Sequence, residues 1–297
     1  MSALSSIADV PAPAKLNLFL HVIGRRADGY HLLQSLFVLI DWCDTLHFER
    51  RSDGTLHRHD LGEALPADDL CLRAARALRT ASGTSLGADI SIDKQLPSGA
   101  GMGGGSSDAA STLLALNRLW GLDWPRERLL ALALTIGADV PFFVGGRNAF
   151  VEGIGERLTP IRFASQRFVV LKPPSGVETR ALFASPLLSR NTEAAILAGF
   201  PERAYRRMIE QAKNDLQAPA ESHCPEITQA LRLLQDQFGN SRMTGSGSAV
   251  FAMVDDEELQ GAGEHPEATY PAALPPGWVA RTCRSLEVHP LCGWARD

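Results

Sequence analysis

The residues best equipped for chemistry lie between Ile90 and Asp108. Ile90-Ser91-Ile92-Asp93 alternates as a short strand. The run Pro97-Ser98-Gly99-Ala100-Gly101-Met102-Gly103-Gly104-Gly105-Ser106-Ser107 then puts five glycines into positions 99–105. A helix start follows: Ser106 or Ser107 is expected to cap it, and Ala109, Ala110, Leu113, Leu114, Leu116 and Trp120 give it a buried face. Glycine opens backbone angles closed to other residues and lets a ligand approach the main chain. A helix N-terminus offers unpaired N–H groups and about half a positive charge. Strand, glycine run and helix together predict a phosphate cradle.

The common owners of such a loop each need a continuation that this chain lacks. Gly99-x-Gly101-x-x-Gly104 matches the dinucleotide fingerprint, but no second strand ending in an acid follows the helix. A Walker A loop ends in Gly-Lys-Ser/Thr, and this one ends in Gly-Ser-Ser. The protein-kinase loop runs into a lysine-bearing strand with later H-R-D and D-F-G motifs, which are absent. A tight turn without a ligand remains open, although so flexible a run is costly to order.

The elements around this loop follow from patterning. Pro11 and Pro13 are expected to close a disordered lead-in. Ala14 to Val22 alternates with period two, with Leu16, Leu18, Leu20 and Val22 on one face and Lys15, Asn17, Phe19 and His21 on the other. Gly24 to His31 carries an Asp-Gly turn signal. Leu36–Ile40 and Thr45–Arg50 read as two strands, and the polar stretch Arg51–Asp69 reads as a loop with a short strand near Thr55–His59. Helices are predicted over Leu70–Thr80 and Pro125–Thr135, and a hairpin over Asn148–Leu158. Asp139, before Val140-Pro141-Phe142, suits the cap of a short helix. A second block begins near Phe168, with strands at Phe168–Leu171, Ala249–Val254 and Trp278–Val288. Its helices are expected from Thr179 and over Pro201–Gln211 and Cys224–Phe238. Strands and helices mix without strict alternation, which predicts an α+β fold divided into units 1–160 and 161–297.

Composition narrows the class. The chain has 297 residues, 45% hydrophobic and 21% charged, with a formal net charge of −5. That balance argues against a general nucleic-acid binder and implies that an anionic ligand is held by local donors. Five cysteines without a C-x-x-C read as free thiols in a reducing compartment. No signal peptide or membrane span is expected, and the protein is read as cytoplasmic.

Three ordered motifs resemble the GHMP kinase superfamily of ATP-dependent small-molecule kinases. They are Pro13-Ala14-Lys15-Leu16-Asn17-Leu18, the glycine run, and Thr244-Gly245-Ser246-Gly247-Ser248-Ala249. The resemblance implies a two-domain GHMP fold with the active site in the cleft. ATP would be bound by Lys94, Pro97, Ser98, Gly99, Ala100, Gly101, Met102, Gly103, Gly104, Gly105, Ser106 and Ser107. Ala14 to Leu20, Gly24 to His31, Ile92-Asp93-Lys94 and Gly137-Ala138-Asp139-Val140-Pro141 resemble, more narrowly, the branch that phosphorylates the 2-hydroxyl of a cytidine-diphosphate-linked methylerythritol on the non-mevalonate route to isoprenoids. That likeness implies Asp139 as general base and Lys15 as its electrostatic partner. It also implies Asn17, Tyr30, His31, Thr179 and Phe183 at the substrate, with Tyr30 and His31 reading cytosine and Phe183 forming the second face of a stack. Mg²⁺ would arrive with ATP, with Ser107 or Asp108 near enough to reach it but no protein ligand expected. The implied partners are ATP and the cytidine substrate, not nucleic acid or membrane, for a monomer or weak homodimer. A homoserine or phosphomevalonate kinase, or a nucleotide-binding regulator without transfer, stays open at this point. No role is expected for the segment 255–277.

Overall fold

The computed structural model describes residues 4–195, 209, 212–255 and 274–297. Two antiparallel-rich sheets carry the fold. The first is built on two long strands, β1 (Ser6–Arg25) and β2 (His31–Arg51), joined by the turn at Asp28-Gly29. β2 also pairs with β4 (Gly87–Asp93) near its end and with β5 (Ala149–Gly153) near its start. β3 (Leu56–Asp60) lies parallel to β4, and β6 (Arg157–Pro160) closes the hairpin with β5. The second sheet has the order β10-β7-β9-β8, from β7 (Arg167–Lys172), β8 (Arg242–Met243), β9 (Val250–Val254) and β10 (Val279–Arg284). Every strand of the first sheet thus precedes residue 161, and every strand of the second follows it.

Seven helices are described: α1 (Leu70–Ser82), α2 (Gly104–Leu119), α3 (Arg126–Leu134), α4 (Val140–Gly145), α5 (Thr179–Ala184), α6 (Gln217–His223) and α7 (Pro225–Phe238). α2 is the centre of the first half. Its residues Ser107 to Leu119 are buried on nearly every side, Arg118 excepted. A helix buried all round cannot be amphipathic, and two of its small polar residues bond to backbone. Ser107 Oγ donates to the Pro13 carbonyl at 2.7 Å and Ser111 Oγ to Pro11 at 2.9 Å.

Several expectations are corrected. Residues 6–13 are strand, not a disordered lead-in: β1 runs through Pro11 and Pro13. Among the described strands β1 pairs with β2 alone, and its register shifts between Pro13 and Lys15, so the missing proline N–H groups cost no ladder bond. The two strands expected at 36–40 and 45–50 are one continuous β2. Both faces of the Ala14–Val22 strand are buried, because packing covers the sheet on either side. A register shift between Asn17 and Leu20 also breaks the simple alternation, so Leu20 and not Phe19 shares a cavity with Lys15 and Asn17. Neither Ser106 nor Ser107 caps α2. Its N-cap is Gly103, in the left-handed conformation, and the Ser107 hydroxyl is committed to Pro13. The helix expected over 201–211 lies outside the described residues except Ile209, and so does most of 255–277.

The stretch after β10 returns to the first half. Ser285 bridges to Ile40 and Val288 to Arg147, and Leu291 and Ala295 complete the core under α2 and α3. Arg126 fixes this return. Its guanidinium donates to the carbonyls of Val144, Cys292 and Ala295, and its backbone N–H donates to Arg296 at 2.7 Å.

Candidate active site

The three motifs far apart in sequence meet at one point. Lys15, on β1, is buried and donates from Nζ to the Asn17 side chain and, at 3.0 Å, to the Gly101 carbonyl. The same ammonium sits 4.7 Å from the Phe37 ring centre and 3.8 Å from Asp139 Oδ2. At 3.8 Å the two charges pair through space without a hydrogen bond. Burial holds the Lys15 ammonium below the usual lysine range, and the Asp139 charge opposes that shift only in part. Asp139 stands at the N-cap position of α4, but its side chain makes no capping bond. Its carboxylate, about one-third exposed at 32%, is turned toward Lys15.

The two glycine turns lock together beside this pair. Ser248 N–H donates to Gly99 and Ala249 N–H to Ala100, at 3.0 and 3.2 Å. The approach requires glycine: a Cβ on Gly101 would lie 2.3 Å from the Thr244 carbonyl, and one on Gly245 2.6 Å from the Gly101 carbonyl. Gly101 and Gly103 also hold φ of 72° and 73°, closed to ordinary residues. Thr244 in turn accepts the Asn17 N–H on its hydroxyl, at 2.8 Å. Residues Pro97 to Ser106, with Lys94, line a cavity of about 220 Å³ in front of α2.

Two more cavities follow in a row beside it. One, of about 180 Å³, is lined by Lys15, Asn17, Asp139, Thr179 and Phe183, and shares Gly101 and Gly103 with the glycine-loop cavity. The other, of about 700 Å³, is lined by Tyr30, His31, Arg25 and Arg180, and shares Leu33, Ile154 and Phe183 with the central one. Tyr30 is 61% exposed on its rim. His31 and Phe183 stack face to face, 4.9 Å between centres and 25° between planes. Thr179 donates to the Ser246 hydroxyl at 2.8 Å, tying α5 to the second glycine turn. All seven residues expected for catalysis and substrate thus border these two adjoining cavities.

Lys94 has a different setting from that expected of a free nucleotide ligand. It is held between the buried carboxylates of Asp44 and Asp108, at 2.6 Å from the latter. Burial alone would lower its pKa, but the two acids outweigh burial and raise it. Burial pushes the Asp108 carboxyl up to about 8, with Asp44 adding to the rise and Lys94 opposing it. Asp44 also accepts the N–H groups of Gln95 and Leu96 at 2.6 and 2.7 Å, so it anchors the entry of the glycine loop. The Ser107 hydroxyl is spent on Pro13, and Asp108 gives one carboxylate oxygen to Lys94 while the other is buried without a partner. Among the described residues no cluster of three acidic, histidine or cysteine side chains is arranged to hold a metal.

Sequence reasoning missed Asp44, Ser35 and Arg190. Asp44 sits inside what reads as a gap between strands. Ser35 accepts the Asn17 amide at 2.8 Å, a contact visible only once the two strands are paired. Arg190 lies in a stretch without periodic signal.

Known proteins resemble this chain over nearly its whole length. The family described as GHMP kinases N terminal domain matches residues 69–147, and GHMP kinases C terminal matches 193–270. The 4-diphosphocytidyl-2-C-methyl-D-erythritol kinase of Methylibium petroleiphilum is 65% identical over 295 residues, covering 99% of each chain. The protein of that name in Albidiferax ferrireducens is 55% identical, covering 98% of this chain and 96% of its own. A crystal structure of 4-(cytidine 5'-diphospho)-2C-methyl-D-erythritol kinase superposes with a TM-score of 0.75 at 35% identity, over 92% of this chain and 98% of that one. Homoserine kinase from Cytophaga hutchinsonii gives 0.72 at 16% identity, over 97% of both chains, and shares the fold alone.

Proposed function

The chain belongs to the 4-diphosphocytidyl-2-C-methyl-D-erythritol kinase family of the GHMP kinases, and from that premise we propose that it transfers the ATP γ-phosphate to the 2-hydroxyl of that cytidine substrate. It is an ATP-dependent kinase. The observation that carries the substrate reading is the row of three adjoining cavities, with Lys15 and Asp139 in the middle one. ATP phosphates occupy the glycine-loop end, the cytidine the aromatic end, and the methylerythritol hydroxyl the point between the two charges.

Asp139 accepts the hydroxyl proton as the oxygen attacks the γ-phosphorus. The bond from γ-phosphorus to the β-bridging oxygen breaks, and ADP leaves. A tertiary hydroxyl is a weak nucleophile, and phosphoryl transfer depends mainly on alignment and charge stabilisation. Lys15 supplies a fixed charge to the transferring group, and Asn17 holds Lys15 through the bond described above. Tyr30, His31 and Phe183 bind the base, where each stacking contact is worth about 1–3 kcal/mol. Thr179 meets the substrate from the second half. The remaining glycine-loop residues hold the triphosphate through backbone N–H groups and the α2 terminus. A Mg²⁺ ion bound with the nucleotide would supply charge neutralisation at the phosphates, held mainly by them and by water beside the glycine loop. The division at 160/161 belongs to the same reading, with the substrate spanning both halves.

Comparing ATP-dependent turnover of the cytidine substrate with that of homoserine tests the assignment. Preferential phosphorylation of the cytidine compound is expected. Preference for homoserine, or nucleotide binding without transfer to either, would overturn it.

A further inference from the structure

Arg190 lies outside every motif above, yet it touches both walls of the aromatic cavity. Its Nε–H donates to His31 Nε2 at 3.3 Å. Its Nη2 donates to the carbonyls of Phe183 and Ser185 at 3.0 and 3.1 Å, and its Nη1 to Leu188 at 3.2 Å. His31 opens β2 in the first sheet, whereas Phe183 belongs to α5 in the second half. One guanidinium therefore joins the His31 ring to the backbone that carries Phe183, across the two halves. Arginine suits the task, since its planar fork serves several acceptors at once.

The bond to His31 has a chemical consequence. An arginine N–H always donates, so His31 Nε2 accepts and carries no proton. The imidazole is then neutral and its proton sits on Nδ1. Two cations face the ring: Arg190 from the stretch after α5 and Arg25 from the end of β1. Burial, Arg190 and then Arg25 all hold its pKa below the usual histidine range.

We propose that Arg190 is a positioning residue for substrate recognition, which fixes His31 as an Nδ1–H donor against Phe183 and so selects a base edge that offers an acceptor. Cytosine offers such acceptors at O2 and N3. The proposal rests on the cytidine reading above. It adds that recognition depends on a residue that need not touch the base.

The test is steady-state kinetics of R190A, R190K, H31A and R190A/H31A, with the unmodified enzyme first shown to turn over the cytidine substrate. Absence of that turnover defeats the functional reading before Arg190 is in question. Given turnover, R190A is expected to raise KM for the cytidine substrate about tenfold, with kcat and the KM for ATP within about twofold. R190K keeps the charge but not the fork, so it should recover only part of the loss. In the H31A background, adding R190A should change KM little, because both act through one ring. The acid limb of kcat/KM should also move to higher pH in R190A, since a cation that opposes His31 protonation is gone. An unchanged KM in R190A and R190K, an equal loss in KM for both substrates and in kcat, or full additivity with H31A would overturn the proposal.

Discussion

The Lys15 ammonium and the Asp139 carboxylate stand 3.8 Å apart, although one comes from the first strand and the other from the turn into α4. The carboxylate ignores the helix end it could cap. Asp139→Asn is therefore expected to leave stability within about 0.5 kcal/mol while lowering kcat by about 10²–10⁴-fold. Thermal unfolding, ATP affinity and turnover of the cytidine substrate together check this. Near-normal turnover would remove Asp139 from the reaction.

Lys15 should set an alkaline limit on turnover. Its proton is lost below the ordinary lysine value of 10.5 because burial disfavours the charge. As pH rises through that lowered pKa, the cation at the site disappears and kcat falls. Stability moves the other way: between the lowered and ordinary values the unfolded chain binds more protons, so the folded state gains as pH rises. A pH profile of kcat measured beside denaturant unfolding reads both. An alkaline limb at or above 10.5 would count against the assignment.

Two loop glycines should respond differently to alanine. At Gly99 the added methyl meets nothing within 4 Å, so only the φ of 62° resists, at about 1–2 kcal/mol. At Gly101 the methyl would drive into the Thr244 carbonyl and part the two glycine turns. Gly101→Ala should cost on the order of 3–4 kcal/mol and raise KM for ATP more than Gly99→Ala does. Equal effects of the two would contradict the packing described.

The pair of acids on Lys94 predicts a slope of stability with pH. Burial holds the pKa of the Asp108 carboxyl above the usual range in the folded chain, whereas an unfolded aspartate titrates near ~3.9. Between those values the folded state binds more protons, so stability falls as pH rises and levels off above the upper one. Asp108→Asn, uncharged throughout, should flatten that slope. Urea midpoints at pH 5.5 and 8 in both proteins measure it, and an unaltered slope would refute the cause given.

Much of this was legible in the sequence where local chemistry sets the outcome. The glycine run declares its turn because Gly101 and Gly103 need backbone angles that few residues adopt. The helix read over Leu70–Thr80 stands as α1, whose head Asp69 caps by accepting the Leu72 N–H and whose tail ends at left-handed Gly83. What stayed hidden depends on partners distant in the chain. Pro11 and Pro13 look like breakers until β1 is seen as an edge strand whose carbonyls serve Ser107 and Ser111. Asp44 looks like a turn residue until Gln95, Leu96 and Lys94 fold onto it. Arg190 has no local pattern, since its role depends on a ring from the other sheet.

The return of residues 285–297 bears on how the protein is made. The first half holds the glycine loop and α2, but Leu291 and Ala295 belong to its core, and Arg126 finds its carbonyl partners at Cys292 and Ala295. During synthesis this half is translated early, yet it waits for the ribosome to finish the second half before its surface is sealed. The order of translation and the order of completion are therefore reversed. A fragment ending after the first sheet would expose the floor beneath α2 and α3, and trimming these few distal residues should damage the nucleotide end of the molecule more than the sheet they follow in sequence.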